Sequence, residues 1–314
     1  TELWKTIHIA QGKASGQQNG FVKASLEAKL DNAPLSLSFQ GGPETSGEAN
    51  TTGWPVQLEA SAVGAVLTGH GSVVTINDGK KLQIATRIKG NRFDRLGSLV
   101  GVSLPRVGAY DASAFVSSGG GVHEFRDLRV QMGANRFTGS VRWEDRAPRP
   151  LLTGKLSSDR LTLNELLDTA AKPSSTTRKG SLLDRPIKLD WLRDFDTNLD
   201  FEVKRVADSP IAVEKVSSAV KVANGNLNVS FRGTVATAPI EGNMRLIQRR
   251  KVPNISVKAA IGRIDAGQTL KQLNLPDILV GTVDAMNVEG NSRGKTVHAL
   301  LEQAAITLQM RPAM

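Results

Sequence analysis

The sequence contains no cysteine and one tyrosine, and aromatic residues make up only 4% of it. Without thiols the chain can form no disulfide, no cysteine-based zinc site and no thiol nucleophile. A compact enzyme of 314 residues usually carries more aromatic side chains. The apolar residues here are mostly Leu, Val, Ile and Ala spread evenly along the chain, which is typical of many half-buried strands.

The sequence also lacks any run of about 20 apolar residues, the length that a membrane helix needs. No signal peptide is visible at its start. We therefore expect a soluble or mature region, with any membrane anchor supplied by a segment that this sequence does not contain.

Catalytic and metal-binding patterns are missing as well. The four histidines, His8, His70, His123 and His298, are far apart, and no pair has the spacing of metal ligands on a helix. No Gly-x-Ser-x-Gly elbow is present to expose a nucleophilic serine. We predict no catalytic residue, no metal site and no cofactor, and we expect the protein not to be an enzyme.

The most phosphate-loop-like segment runs from Gly290 to Thr296 and reads Gly-Asn-Ser-Arg-Gly-Lys-Thr. A P-loop requires four residues between its glycines so that successive backbone N–H groups surround the phosphates. This segment has three, and Glu289 occupies the position where the extra spacing would need glycine. It is better explained as a turn that leads into a capped helix.

The formal net charge of +10 makes an anionic partner plausible. However, the Lys and Arg residues are scattered, and the densest group, Arg245, Arg249, Arg250 and Lys251, surrounds one predicted turn. This distribution favours diffuse attraction to anionic lipid headgroups over a nucleic-acid groove.

Period-two alternation of apolar and polar residues dominates the chain, as in Leu199, Phe201 and Val203 set against Asp200 and Glu202. In a strand this pattern places all apolar side chains on one face. We predict that the following residues line a shared apolar groove that binds lipid: Leu35, Leu37, Phe39, Leu82, Ile84, Leu128, Val130, Leu199, Phe201, Val203, Leu227, Val229, Phe231, Ile255, Val257, Ile306 and Leu308.

Turn signals such as Gly119–Gly121 and Asn224–Asn226 separate the strands at intervals of roughly 10 to 14 residues, which indicates an antiparallel all-β protein. Short helices are predicted at residues 92–99, 163–170, 267–273 and 296–304. The polar stretch 171–185 predicts a linker or mobile loop between a first β segment, 1–170, and a second, 186–314. A long surface loop within one continuous sheet explains that stretch equally well.

An aliphatic strand face without helices to cover it must meet a second sheet, its own curved continuation or a ligand. The first two outcomes give a sandwich or barrel-like interior. The last gives an open groove for hydrocarbon, and the alternation by itself leaves these outcomes open.

The order of several motifs resembles the AsmA family of bacterial envelope proteins. In the first half these are Gly90-Asn91-Arg92-Phe93-Asp94-Arg95-Leu96, Val102-Ser103-Leu104-Pro105, Phe125-Arg126-Asp127-Leu128, Gly133-Ala134-Asn135-Arg136-Phe137, Arg149-Pro150-Leu151-Leu152-Thr153-Gly154 and Leu161-Thr162-Leu163-Asn164-Glu165-Leu166-Leu167. In the second half they are Asp194-Phe195-Asp196-Thr197-Asn198-Leu199-Asp200, Asn224-Gly225-Asn226-Leu227 and Leu275-Pro276. The similarity extends over nearly the whole chain.

The resemblance implies an elongated, curved antiparallel sheet whose taco-like apolar groove conveys glycerophospholipid acyl chains from the inner toward the outer membrane. It further implies a periplasmic location with a tether to the inner membrane, and a phospholipid partner rather than nucleic acid. The family offers no catalytic residues to carry over. The alternative is an assembly factor that contacts outer-membrane protein machinery through exposed strand edges.

Overall fold

The computed structural model describes residues 7–18, 20–30, 33–43, 45–46, 52–76, 79–96, 108–162, 189–249, 252–265, 267–269 and 281–312. The chain divides into two compact units, Thr1–Arg146 and Ala147–Met314. Strands account for most of the described residues, and helices are few and short. The predicted fold class, a mainly β protein built from an antiparallel sheet of amphipathic strands, is confirmed.

The first unit is an antiparallel meander in which each long strand pairs with the next one along the chain. The two-residue strand β4 pairs with β5 at the side of this meander. The strands are β1 (Ile7–Gly16), β2 (Val22–Leu30), β3 (Ala33–Gly41), β4 (Thr45–Ser46), β5 (Thr52–Ala62), β6 (Ala65–Ile76), β7 (Gly79–Gly90), β8 (Tyr110–Gly119), β9 (Val122–Met132) and β10 (Asn135–Glu144).

The second unit begins with a parallel pair, because β11 lies beside β12 in the same direction. From β12 onward the sheet is antiparallel, with β16 beside β18, β18 beside β19 and the short β17 against the start of β18. The strands are β11 (Leu151–Ser158), β12 (Asp196–Val206), β13 (Val213–Ala223), β14 (Asn226–Val235), β15 (Ala238–Arg249), β16 (Val252–Ile261), β17 (Ile264–Asp265), β18 (Thr282–Arg293) and β19 (Ala305–Pro312).

Several hairpins turn through two residues with positive φ, the geometry that matches the right-handed twist of paired strands. Gly120 and Gly121 have φ of 59° and 74°, and Asn224 and Gly225 have φ of 54° and 75°. These residue types adopt positive φ with little strain, so the sequence predicted both turns correctly.

The helical predictions divide between confirmed and untested residues. A 3-10 turn occupies Phe93–Arg95, residues 267–269 are helical, and helix α1 spans Val297–Glu302. The following lie outside the described residues: 97–99 and 270–273 of two predicted helices, the whole predicted helix 163–170 and the predicted linker 171–185. A second 3-10 turn, Asp190–Arg193, precedes β12 and was not predicted.

The division between the compact units falls at Arg146 and Ala147. The boundary expected from the sequence, within residues 171–185, comes later in the chain. The division lies within the β10–β11 connection, and because residues 171–185 lie outside the described residues, the boundary expected there stays a prediction.

Candidate functional site

In the first unit, the strand register brings apolar residues of successive strands onto one face. Directly opposed residues on paired strands share a face, so the faces can be followed across the sheet. One row across the strands runs Leu26, Leu37, Ala60, Leu67, Ile88, Ala112, Val130 and Phe137. By the same register, this face carries all the apolar residues predicted for this unit: Leu35, Leu37, Phe39, Leu82, Ile84, Leu128 and Val130.

The second unit shows the same organisation. One row runs Leu199, Val220, Val229, Met244, Val257, Gly290 and Ile306. A second row on the same face lies two residues away along each strand and runs Leu156, Phe201, Ser218, Phe231, Gly242, Ala259, Val288 and Leu308. The predicted residues of this unit, Leu199, Phe201, Val203, Leu227, Val229, Phe231, Ile255, Val257, Ile306 and Leu308, therefore share one face as well.

We call these two surfaces the apolar faces of the two units. Most of their side chains are half-buried, and only a few, such as Ile84 and Val222, are fully buried. In a sandwich with a dry second layer, central positions like Leu37 and Val229 would be sealed from solvent. Both are instead partly exposed, so the apolar faces remain accessible over much of their area.

The sequence analysis missed several members of these faces, including Trp54, Val73 and Met286. Trp54 and Val73 lie in one row with the predicted Leu82, and Met286 lies two residues from Val288 on the same face of β18. The sequence does contain a signal for Trp54, because Trp54, Val56 and Leu58 alternate with Pro55 and Gln57. In β6, Gly69 and Gly71 interrupt the alternation of apolar and polar residues, and Val73 was therefore not predicted as part of the face.

Glycines on the apolar face of the first unit make room for large neighbours. A Cβ added at Gly41 would lie 2.1 Å from the ring of Trp54, and one at Gly90 would lie 2.7 Å from the hydroxyl oxygen of Tyr110. Phe39 and Phe93 complete these contacts, with ring centroids 5.6 Å from Trp54 and 5.5 Å from Tyr110, respectively. The rings of Trp54 and Tyr110 thus lie over the strand glycines Gly41 and Gly90.

One end of the apolar face in the second unit is covered by the 3-10 turn that precedes β12. Leu189 and Leu192 pack there with Val222 and Leu246, and Leu192 is fully buried. The amide of Leu192 donates to the carbonyl of Leu189 and closes the turn. This cluster covers one end of the face, where the predicted residues Leu227 and Ile255 pack against it.

The opposite face of each unit carries the charged side chains. Arg87 donates to both carboxylate oxygens of Asp111 on the neighbouring strand, and this guanidinium lowers the pKa of Asp111. Arg142 pairs similarly with Glu124 at 2.8 Å, and Lys258 with Glu289 at 2.9 Å. These pairs are solvent-exposed, so each adds little stability but keeps this face soluble.

The polar face of the second unit is recessed in its middle, where a cavity of about 840 Å³ crosses the strands. Its floor is formed by small residues, including Ser217, Ala219, Ser230 and Ala260, because their short side chains leave space between longer neighbours. Asp200, Glu202, Arg232, Glu241 and Lys258 surround them. This recess lies on the face opposite to the predicted groove, and Phe231 is the predicted groove residue that lines it.

The other candidate sites are structurally ordinary. Thr296 caps helix α1 by accepting from the amide of Ala299 at 3.0 Å, and the Gly294 amide donates to the Pro253 carbonyl at 3.1 Å. Gly290–Arg293 therefore belong to the end of β18, and the residues from Gly294 to Thr296 connect this strand to helix α1. Among the described residues, no group of acidic or histidine side chains is arranged to hold a metal ion.

No family model, curated protein or solved structure matches this chain. Within the described part of the chain, no helix is both long enough and apolar enough to cross a membrane.

Proposed function

We propose that this protein binds the acyl chains of glycerophospholipids on the apolar faces of its two units. The observation that carries the proposal is the shared face of the predicted residues, together with their partial exposure. A half-exposed aliphatic surface that continues through successive strands is costly in water unless an apolar ligand covers it.

The chemistry of the apolar faces suits a hydrocarbon chain better than a rigid ligand. In the second unit the central row offers mainly Leu, Val, Met and Ile side chains, with no charged group in it. Each methylene removed from water contributes about 0.8 kcal/mol, while a uniform surface does not fix the chain at one position. Such a surface can hold an acyl chain and still let it slide.

The proposed setting is the periplasm, with a tether to the inner membrane and a role in supplying lipid to the outer membrane. It follows from the resemblance to the AsmA family. The scattered Lys and Arg residues fit this setting, because they attract anionic headgroups without a fixed phosphate site.

Site-specific photo-crosslinking tests the proposal directly. A photoreactive benzoylphenylalanine is placed at Val229 or at its neighbour Ser230, which lies on the opposite face of the same strand. The pair Leu37 and Ser38 in β3 gives the same comparison in the first unit. Each variant is irradiated with vesicles of phosphatidylethanolamine and phosphatidylglycerol, and crosslinked lipid is detected by mass spectrometry.

We expect lipid adducts at Val229 and Leu37 and almost none at Ser230 and Ser38. Equal labelling of both faces, or no labelling at either, would overturn the proposal. Labelling of Ser230 alone would assign the binding activity to the polar recess instead. Protein adducts in cells at the edge strands, without lipid adducts, would favour the assembly-factor alternative.

A further inference from the structure

Three side chains with complementary chemistry meet beside the hairpin that joins β8 and β9. The hydroxyl oxygen of Ser118 lies 2.7 Å from Nδ1 of His123, and Nε2 of the same ring lies 3.4 Å from Oδ2 of Asp145. The other oxygen of that carboxylate accepts from the indole N–H of Trp143 at 2.7 Å. A hydroxyl, an imidazole and a carboxylate thus follow one another in the order in which a base activates a nucleophile.

Strand pairing brings these groups together from separate parts of the sequence. Ser118 on β8 lies directly opposite His123 on β9, and His123 lies opposite Trp143 on β10. Asp145 follows Trp143 by two residues, and its amide donates to the carbonyl of Gly121 at 2.7 Å, which holds it beside the turn. The sequence predicted no catalytic residue, because this arrangement forms across strands and has no local motif.

The hydrogen bonds of Asp145 favour the protonation states that the arrangement needs. Donation from Trp143 and from His123 lowers the pKa of Asp145, so its carboxylate is ionised at neutral pH. An ionised partner favours the tautomer of His123 that carries its proton on Nε2 and accepts the Ser118 hydroxyl on Nδ1. The two ring nitrogens exchange the roles they have in serine proteases, and either nitrogen of a neutral imidazole can accept a proton.

The cluster lies at one end of the apolar face of the first unit. Ser118 and His123 belong to the row that also contains Leu82, Val73 and Trp54. From Ser118 to Trp54 this row crosses three strand spacings, about 14 Å. The side chains of His123 and Asp145 are 36% and 57% exposed, so water reaches the cluster. An acyl chain on the apolar face can therefore place an ester group beside Ser118 and keep its alcohol in water.

We propose that Ser118, His123 and Asp145 hydrolyse carboxylic esters of acyl chains. The Ser118 oxygen attacks the ester carbonyl carbon while its proton passes to Nδ1 of His123. The tetrahedral intermediate then collapses, the bond between the carbonyl carbon and the alcohol oxygen breaks, and His123 returns the proton to the leaving alcohol. Water attacks the acyl-serine ester with the same base, which releases the fatty acid and restores Ser118.

Asp145 is a positioning residue in this scheme, because it orients the imidazole and stabilises the imidazolium without touching the substrate. The choice of an acyl ester as substrate rests on the lipid binding proposed above, whereas the activation of Ser118 does not. The two proposals can therefore fail separately.

Fluorophosphonate labelling tests the nucleophile without any lipid. An alkyl fluorophosphonate transfers its phosphonyl group to an activated serine oxygen and releases fluoride, and mass spectrometry of the full chain locates the adduct. We expect modification of Ser118 and none of Ser117, which lies on the opposite face of β8. H123A should slow the labelling about 100-fold or more, whereas H70A, on the neighbouring strand pair, should leave it unchanged.

Hydrolysis of p-nitrophenyl acetate and p-nitrophenyl decanoate tests the reaction and its substrate. S118A should lower kcat/KM for both esters about 100-fold or more, and S117A should not. The decanoate should be preferred about tenfold or more, because its chain gains contact with the apolar face. Circular dichroism and urea midpoints verify that each variant is folded.

The role of Asp145 has its own readout. D145N should lower kcat about tenfold or more at unchanged KM, because the amide stabilises the imidazolium less than a carboxylate does. D145E should recover part of the loss. A variant D145N with unchanged kcat would refute the positioning role.

The absence of a serine adduct on the folded native protein would refute the assignment of Ser118, and so would equal labelling of Ser117 or hydrolysis that persists in S118A. Labelling of Ser118 with equal kcat/KM for the two esters would refute the acyl specificity, and with it the lipid binding, but not the nucleophile. Lipid photo-adducts at Leu37 without labelling of Ser118 would refute the hydrolysis and leave the lipid binding intact.

Discussion

At the residue scale, Tyr110 shows how the sheet buries a polar atom on its apolar face. The side chain is almost fully buried, it packs edge-on against Phe93, and its hydroxyl has no hydrogen-bond partner among the described residues. Burial raises the pKa of Tyr110 above its ordinary value of 10.0, because the tyrosinate anion would lose its hydration.

Because Tyr110 is the only tyrosine, its ionisation can be followed by tyrosinate absorbance. In the native protein we expect the midpoint above pH 10.0, and in denaturant we expect it at the ordinary value. The raised folded pKa means that its stability contribution is complete below pH 10.0 and declines as the pH rises toward the folded value. Identical midpoints in both states would contradict this burial.

The carboxylate of Asp111 gives a prediction of opposite sign. Arg87 holds its folded pKa below the ordinary value of 3.8, so the contribution is present above that value and is lost as the pH falls through the folded pKa. D111N should therefore weaken the pH dependence of unfolding in acid, measured by urea titration at several pH values. S113N, on the same strand and face, serves as the control and should leave that dependence unchanged.

Strand glycines on the apolar face give a third prediction at this scale. A Cβ at Gly71 would lie 2.0 Å from the carbonyl oxygen of Gln83, and backbone cannot move aside easily. G71A should lower the free energy of unfolding by about 2–3 kcal/mol through overpacking. G12A is the control in the same unit, because its Cβ would meet only Leu26 at 3.8 Å. Equal urea midpoints for the two variants would show that β6 shifts to accept the methyl group.

At the element scale, the β14–β15 hairpin turns through residues poorly suited to it. Ala236 and Thr237 have φ of 47° and 73°, a conformation that costs roughly 1–2 kcal/mol for a residue with a Cβ. By contrast, the β13–β14 hairpin uses Asn224 and Gly225 for the same geometry. The β14–β15 turn is therefore held by the pairing of its two strands rather than by local preference.

Replacing Ala236-Thr237 with Asn-Gly should stabilise the protein by about 1–2 kcal/mol, because both residues tolerate positive φ. Thermal or urea unfolding measures the gain. A destabilised A236N/T237G variant would mean that the native side chains make contacts that outweigh the backbone strain.

The 3-10 turn before β12 is a second element that local preference does not explain. Leu192 is fully buried against Val222 and Leu246, far from it in sequence. L192A should cost about 2–5 kcal/mol, the usual range for a leucine removed from a packed site. L308A, at 55% exposure, should cost much less, and similar losses for both variants would contradict the burial difference.

At the scale of the whole molecule, accessible apolar faces should be detectable in the folded protein. A dye that fluoresces on apolar surfaces should bind the native state, and lysophosphatidylcholine below its micellar concentration should displace it. The loss of dye signal should follow a saturable curve while the far-ultraviolet circular dichroism stays unchanged. A native protein that binds no dye would contradict the accessibility of both faces.

The sequence by itself determined which residues share a face, because a strand places alternate side chains on opposite sides. The register places Leu37 on the apolar face of the first unit and Phe201 and Val229 on that of the second, as the alternation in β3, β12 and β14 indicates, and their contact with lipid stays a prediction. The turns at Gly120–Gly121 and Asn224–Gly225 were also encoded locally, because few other residues adopt positive φ without strain.

Only the tertiary structure decided how those strands are arranged. The parallel pairing of β11 with β12, the burial of Leu192 and the recess above Ser217 and Ala219 depend on partners distant in sequence, which no local pattern specifies. The exposure of Leu308 likewise could not be predicted from the sequence, because β19 shows the same alternation as interior strands. Whether an apolar residue is covered depends on its neighbours across the sheet, and these residues come together only when the chain folds.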